Sequence, residues 1–335
     1  MRILIFKLGF IGDVIMSLPA LVELRTRMPD AHITWVVDRP ALPILQATQL
    51  IDEFVVLEEK KIAQGPLWKR GFELLAFWKR LGINRYDRII VGHADSKVRV
   101  LLLPARGKQW RQFNRNGDAW GTIFPVPGRH HSHEFIKLFG DVSYPNTATV
   151  TYPKLTLPDV KTSHPLPTTP FVTLAPGGTQ STPGGSGWLR RWPTEYYVAL
   201  AGRLLNEGYA VALIGGKDDD WVTAHFDELP VHNYIGKFPL LETISFLSYS
   251  RLLVTNDCGP LHFSALADTP VLGIFGPTNP QEKIPFHKGS SFVWGGEALS
   301  CRPCYDNKVY APCTLNTCLT SVPVDLVWQR VQTYL

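Results

Sequence analysis

The chain has 335 residues, long for a single hydrophobic core and suited to two domains of ordinary size. Hydrophobic residues make up 45% and charged residues 19%, which excludes a disordered chain, and no apolar run is long enough to span a bilayer. A net charge of +5 without one long basic run points to an anionic ligand or surface and away from a dedicated nucleic-acid binder.

Met1-Arg2-Ile3 runs straight into a strand-like segment, without the pattern of a signal peptide, so the expected compartment is the cytoplasm. Residues 3–6 read as a buried strand and 13–28 as an amphipathic helix ended by Pro29. Strands are expected at 33–37, 54–57 and 88–91, separated by helix-length segments, a βαβ pattern with a mainly parallel sheet. Residues 157–170, with Pro158, Pro165, Pro167 and Pro170, read as a linker. Alternation then restarts with strands at 171–175, 210–214, 252–255 and 270–275 and a helix at 194–206. The expectation is α/β: two doubly wound, Rossmann-like domains, 1–156 and 171–335, joined by the linker and facing a central cleft.

The loop Lys7-Leu8-Gly9-Phe10-Ile11-Gly12-Asp13 lies where the first strand gives way to a helix. Gly9 and Gly12 allow a tight turn and close approach to a bound group. The loop is not Gly-x-Gly-x-x-Gly, so hydride chemistry loses support. Asp13 is either the helix N-cap or a general base; Met16, in place of Glu or Gln, gives no capping box.

In the second half, Thr255-Asn256-Asp257-Cys258-Gly259-Pro260-Leu261-His262 follows a strand and opens a helix. Amides there favour a phosphate, flanked by Asp257 and His262; the plain alternative is a capped helix with a satisfied histidine. Turns at Gly177-Gly178, Gly215-Gly216 and Gly276-Pro277-Thr278 end other strands on the same rim, which favours a binding surface.

Together these segments resemble glycosyltransferase family 9, the ADP-heptose:lipopolysaccharide heptosyltransferases, through nearly the whole chain. The resemblance rests on Gly12-Asp13 with Leu18-Pro19-Ala20-Leu21, on Arg191-Trp192-Pro193, and on Asp257 to His262 leading to Phe275-Gly276-Pro277-Thr278. It implies the GT-B architecture and metal-independent, inverting transfer of heptose from ADP-heptose onto a lipopolysaccharide core or related surface glycan. No cofactor is required for catalysis. By the same resemblance Asp13 takes the acceptor hydroxyl proton. Gly12, Gly177, Gly178, Arg190, Asp219, Asp257, Gly259, Pro260, His262 and Thr278 hold the donor, Asp219 at its nucleoside. Two residues depart from the family: Cys258 replaces a threonine or serine, and Arg190 replaces a lysine. Residues 179–187 look like a longer glycine-rich insertion over the donor.

Arg129 to Glu134 resembles the place where the family meets its acidic acceptor, with Arg129 and His133 as contacts; a solvated helix start is the alternative, and the histidine spacing fits a metal poorly. Lys97, Arg99, Arg106, Lys108, Arg111 and Arg115, interleaved with Trp110, Phe113 and Trp120, suit an anionic glycolipid better than a nucleic acid. Residues 67–80 either lie on the inner membrane surface or, as ordinary aromatics do, pack in the core. Cys301, Cys304, Cys313 and Cys318 have partial metal-ligand spacing: four thiolates can close a structural zinc or iron site, or stay free. Two other functions compete with transfer: a GT-B sugar-nucleotide epimerase, and a non-catalytic glycan-binding relative.

Overall fold

The computed structural model describes residues 1–58, 61–62, 64–95, 97–114, 123–140, 143–178, 183–304, 310 and 312–335, with side chains omitted at 183–186. Arg115, Trp120 and the 179–182 part of the insertion lie outside the described residues. Two compact units divide between Thr156 and Leu157.

The first unit is a parallel sheet in the order β3-β2-β1-β4-β5: β1 (Arg2–Phe6), β2 (His32–Val37), β3 (Glu53–Val56), β4 (Arg85–Val91) and β5 (Arg106–Gln112). Ile3 to Phe6 are buried on both faces, as a central parallel strand requires, and pair with Ile33–Val36 on one side and Arg88–Val91 on the other. Helices α1 (Ile11–Arg27), α2 (Leu67–Leu81) and α3 (His131–Phe139) cover the sheet; α2 adds Phe77 and Leu81 to a core with Leu4, Phe6, Val36 and Ile89.

Strand β5 escapes the hydrophobic pattern because Arg-Gly-Lys-Gln-Trp-Arg-Gln has no apolar run; it is a charged edge strand. Several basic residues of the 97–111 stretch have partners within this unit. Lys108 Nζ lies 2.7 Å from Asp87 Oδ1, and Arg99 stacks 5.1 Å from the Trp110 ring. Arg111 donates to the Leu138 and Lys137 carbonyls at 2.7 and 2.8 Å, capping the end of α3. Core packing likewise accounts for only part of α2: Phe77 is buried, while Trp68 and Phe72 face outward.

The second unit is a parallel sheet in the order β11-β10-β9-β6-β7-β8: β6 (Phe171–Ala175), β7 (Ala210–Leu213), β8 (His232–Asn233), β9 (Leu252–Asn256), β10 (Val271–Phe275) and β11 (Ser290–Trp294). Strands β8 and β11 were not foreseen, one being two residues long and the other an edge with little apolar pattern. Helices α4 (Thr194–Asn206), α5 (Leu240–Leu247), α6 (Gly259–Ala267) and α7 (Val324–Gln332) complete the layers. The Pro-rich segment groups with this unit: Tyr234 donates to the Pro165 carbonyl at 2.6 Å, and Lys161 sits 4.2 Å from the Tyr249 ring. The core gathers Trp192, Tyr197, Leu200, Val254 and Ile274. Among the described residues, no helix is long and apolar enough to cross a membrane.

Candidate functional site

In each sheet the chain reverses direction of winding once, between β1 and β4 and between β6 and β9, and open α/β sheets bind ligands beyond the strand ends at such points. In the first unit this places Lys7 to Asp13 beside Gly92 and His93. Asp13 is the third residue of α1, not its N-cap; Phe10 holds that position and its side chain caps nothing. The Asp13 carboxylate is 41% exposed and lies 3.5 Å from Lys7 Nζ, itself buried. The ammonium also donates to the Leu8 carbonyl at 2.8 Å. Leu8 N donates to His93 Nε2 at 2.9 Å, so Nε2 is the unprotonated ring nitrogen. Gly9 turns the chain here at φ +100, a backbone conformation that side-chain-bearing residues rarely adopt. The result is an accessible carboxylate beside a buried cation, open to a group that approaches it from solvent. Gly12 is its neighbour on α1 and belongs to the first unit, whereas the other donor-side candidates belong to the second.

At the second reversal, Asn256 ends β9 fully buried and binds three segments. Its Oδ1 accepts from Trp192 N at 2.9 Å and from the Tyr197 hydroxyl at 3.1 Å, and its Nδ2 donates to the Pro176 carbonyl at 2.9 Å. Asp219 does the same for the glycine turns: Oδ1 accepts from Gly178 N at 2.7 Å and Oδ2 from Gly216 N at 2.8 Å. Both oxygens of this buried carboxylate are thus directed at backbone. Gly177 must be glycine here, because a Cβ would fall 2.5 Å from the Asp219 carboxylate.

Cys258 is the N-cap of α6 but caps nothing with its side chain; Gly259 and Pro260 are the first two helical residues, and His262 is buried in the first turn. The Cys258 thiol is pushed up to about 12, mainly by burial, and stays protonated 3.3 Å from Thr255 Oγ1. Asp257 is buried, accepts from Thr278 Oγ1 at 2.8 Å and faces Arg190 Nη1 at 3.7 Å; Arg190 also donates to the Asp257 carbonyl at 3.0 Å. Burial alone would raise this carboxyl. Lys283, Arg190 and His262, with the Thr278 hydrogen bond, outweigh it and hold the group below its usual range. Arg190, His262 and Lys283 all act on Asp257 at the start of α6, and a helix start set among such cations can stabilise a diphosphate as negative charge develops on it. Asn256, Lys7, His93 and Lys283 were not singled out from the sequence. For the first three the visible signal was a polar residue at or just past the end of an apolar strand; Lys283, well past β10, carried none.

Other expectations come out differently. His130 is the N-cap of α3, its Nδ1 accepting from Ser132 N at 3.1 Å, and His133 is 1% exposed with Nε2 donating to the Ala148 carbonyl at 2.8 Å. The segment is therefore not a solvated helix start, and His133 is a core histidine in place of an acceptor contact; burial lowers its basicity. Arg129 pairs with the buried Glu134 at 3.3 Å. Cys301 and Cys313 are exposed and Cys304 and Cys318 half-buried. Burial and then the other three thiols push Cys318 up to about 11, so the four lie in one neighbourhood. Among the described residues, however, no group of three or more His, Cys, Asp or Glu is gathered as a metal site.

Residues 74–314 match the family model for glycosyltransferase family 9 (heptosyltransferase). Lipooligosaccharide heptosyltransferase 2 of Haemophilus influenzae is 25% identical over 322 residues, covering 88% of both chains. Lipopolysaccharide heptosyltransferase 1 of Pseudomonas aeruginosa is 27% identical over 318 residues, covering 91% of this chain and 86% of its own. The structure of the Escherichia coli heptosyltransferase WaaC with ADP superimposes with a TM-score of 0.74 at 18% identity, covering 100% of each chain, and shares the GT-B fold. The match takes in most of the chain, from the middle of α2 past β11, and with it this protein belongs to glycosyltransferase family 9.

Proposed function

We propose that this enzyme transfers a heptose from ADP-heptose, with inversion and without a catalytic metal, onto a lipopolysaccharide core or related bacterial surface glycan. The observation that carries the reading is the second-unit helix start, where Arg190, His262 and Lys283 surround Asp257 at the end of β9. The names of the relatives, and the ADP held by the E. coli enzyme, support the choice of sugar and nucleotide.

The second unit takes the donor and the first the acceptor. Asp13 accepts the proton of the acceptor hydroxyl as its oxygen attacks the anomeric carbon. The bond from that carbon to the β-phosphate oxygen breaks, and the electron pair leaves with ADP. Amides of α6, Arg190 and His262 stabilise the leaving charge. Arg129 faces the acidic acceptor. The reaction is placed at the cytoplasmic face of the inner membrane, where the glycolipid acceptor is anchored.

Asp13→Asn tests the assignment: transfer should be lost while ADP still binds by calorimetry. Near-normal turnover by the folded variant would remove Asp13 as base. ADP released only when acceptor is present distinguishes transfer from epimerisation, and any turnover excludes a binding-only relative. A structural zinc or iron at Cys301, Cys304, Cys313 and Cys318 is a separate reading, supported by the closeness of the thiols. Elemental analysis of purified protein tests it, with activity in EDTA showing whether metal matters to catalysis.

A further inference from the structure

Helix α2 has two apolar sides. Leu74, Phe77, Trp78 and Leu81 pack against the first-unit core, with Trp78 Nε1 donating to the Leu101 carbonyl at 3.0 Å. On the other side Trp68, Phe72 and Leu75 are 72%, 69% and 60% exposed. Their i, i+4, i+7 spacing sets them in one stripe. Lys79 continues that stripe by one more turn, and Lys69 and Arg80 flank it; Lys69 Nζ lies 5.3 Å from the Trp68 ring. Glu73, half-buried, is the only carboxylate on the helix.

We propose that this outer face of α2 seats the protein on an anionic lipid surface, the stripe entering the headgroup layer and Lys69, Lys79 and Arg80 lying against lipid phosphates. Charge and chemistry agree with that occupant: an indole and a phenyl ring beside leucine, rimmed by long cations, is the make-up of an interfacial helix. A second copy of the chain suits it less. Three side chains at this exposure offer roughly 400 Å², about half of what each partner contributes to a stable interface. The inference specifies the membrane contact implied by the proposed function, yet its test needs neither donor nor acceptor.

The full chain is sedimented with vesicles of phosphatidylcholine alone and with vesicles half phosphatidylglycerol. Binding is expected only to the second kind and weakened by salt. Trp68→Ser with Phe72→Ser should cut partitioning at least about tenfold. Lys79→Glu with Arg80→Glu should cut it by more than about fivefold per cation removed. Neither pair touches the residues around Asp13 or Asp257, so thermal unfolding and ADP affinity should be unchanged. Failure of the wild type to bind anionic vesicles, or binding by both double variants equal to that of the wild type, overturns the proposal. So does a concentration-dependent dimer that either pair abolishes. Loss of vesicle binding with transfer to a lipid-free acceptor intact supports it, and absence of all transfer in the wild type bears on the proposed function alone.

Discussion

Asp219 separates two roles that a carboxylate at this position can play, touching the nucleotide or holding the loops that do. Asp219→Asn keeps the shape and removes the charge. The native group accepts two backbone amides at 2.7 and 2.8 Å, each bond to an ion contributing about 1.5–3 kcal/mol. An asparagine oxygen keeps one of these as a neutral bond of about 1 kcal/mol and turns its NH2 toward the other amide, donor against donor. The net loss is about 2–4 kcal/mol, a fall in melting temperature of roughly 5–15 °C for a unit this size. Thermal unfolding followed by circular dichroism, with ADP calorimetry on the same samples, reads both quantities. The clamp predicts destabilisation accompanied by weaker ADP binding, because Gly178 and Gly216 lose their common anchor. An unchanged melting temperature with a tenfold loss of ADP affinity would refute the clamp and return Asp219 to the nucleoside.

Asp257 is held below its ordinary value, so it carries fewer protons folded than unfolded. Its stabilisation is complete above the unfolded carboxylate value and is lost as pH falls through the folded one; acid unfolding of Asp257→Asn should therefore be shallower than that of the wild type. Thiol labelling of the native protein should modify Cys301 and Cys313 first and leave Cys258 untouched until the second unit unfolds, as mapped by peptide mass. Arg129→Met should destabilise the first unit by about 3 kcal/mol by stranding Glu134, whose carboxyl burial already raises, and acid should relieve the loss as Glu134 takes a proton. Arg129→Lys is the better probe of the acceptor, with a raised KM and unchanged ADP affinity expected.

The strands that build each sheet's centre were legible because a parallel strand covered on both faces needs a nearly continuous apolar run, as in Ile3 to Phe6 and in Phe171 to Ala175, where only Thr173 interrupts. Edges carry no such demand, which is why β5 and β11 were not. In the site, Asp13 and Asp257 stood out as acids beside glycine turns. Two of their counterions did not: Lys7 follows directly on a hydrophobic strand, and Lys283 lies far along the chain from Asp257. His133 was misjudged for a related reason. A helix start rich in histidine reads as polar, and only the fold reveals that the Ala148 carbonyl waits beneath it.

Gly178 and Trp192 are each fastened from below, one through Asp219 and the other through Asn256. The stretch between two fixed points can change length at a cost that grows only logarithmically, about 0.6 kcal/mol per doubling. Substitutions between these two points should therefore leave Gly178 and Trp192 anchored. For engineering, the foldability of this rim rests with two buried polar side chains, Asp219 and Asn256, which belong to neither of the turns they hold.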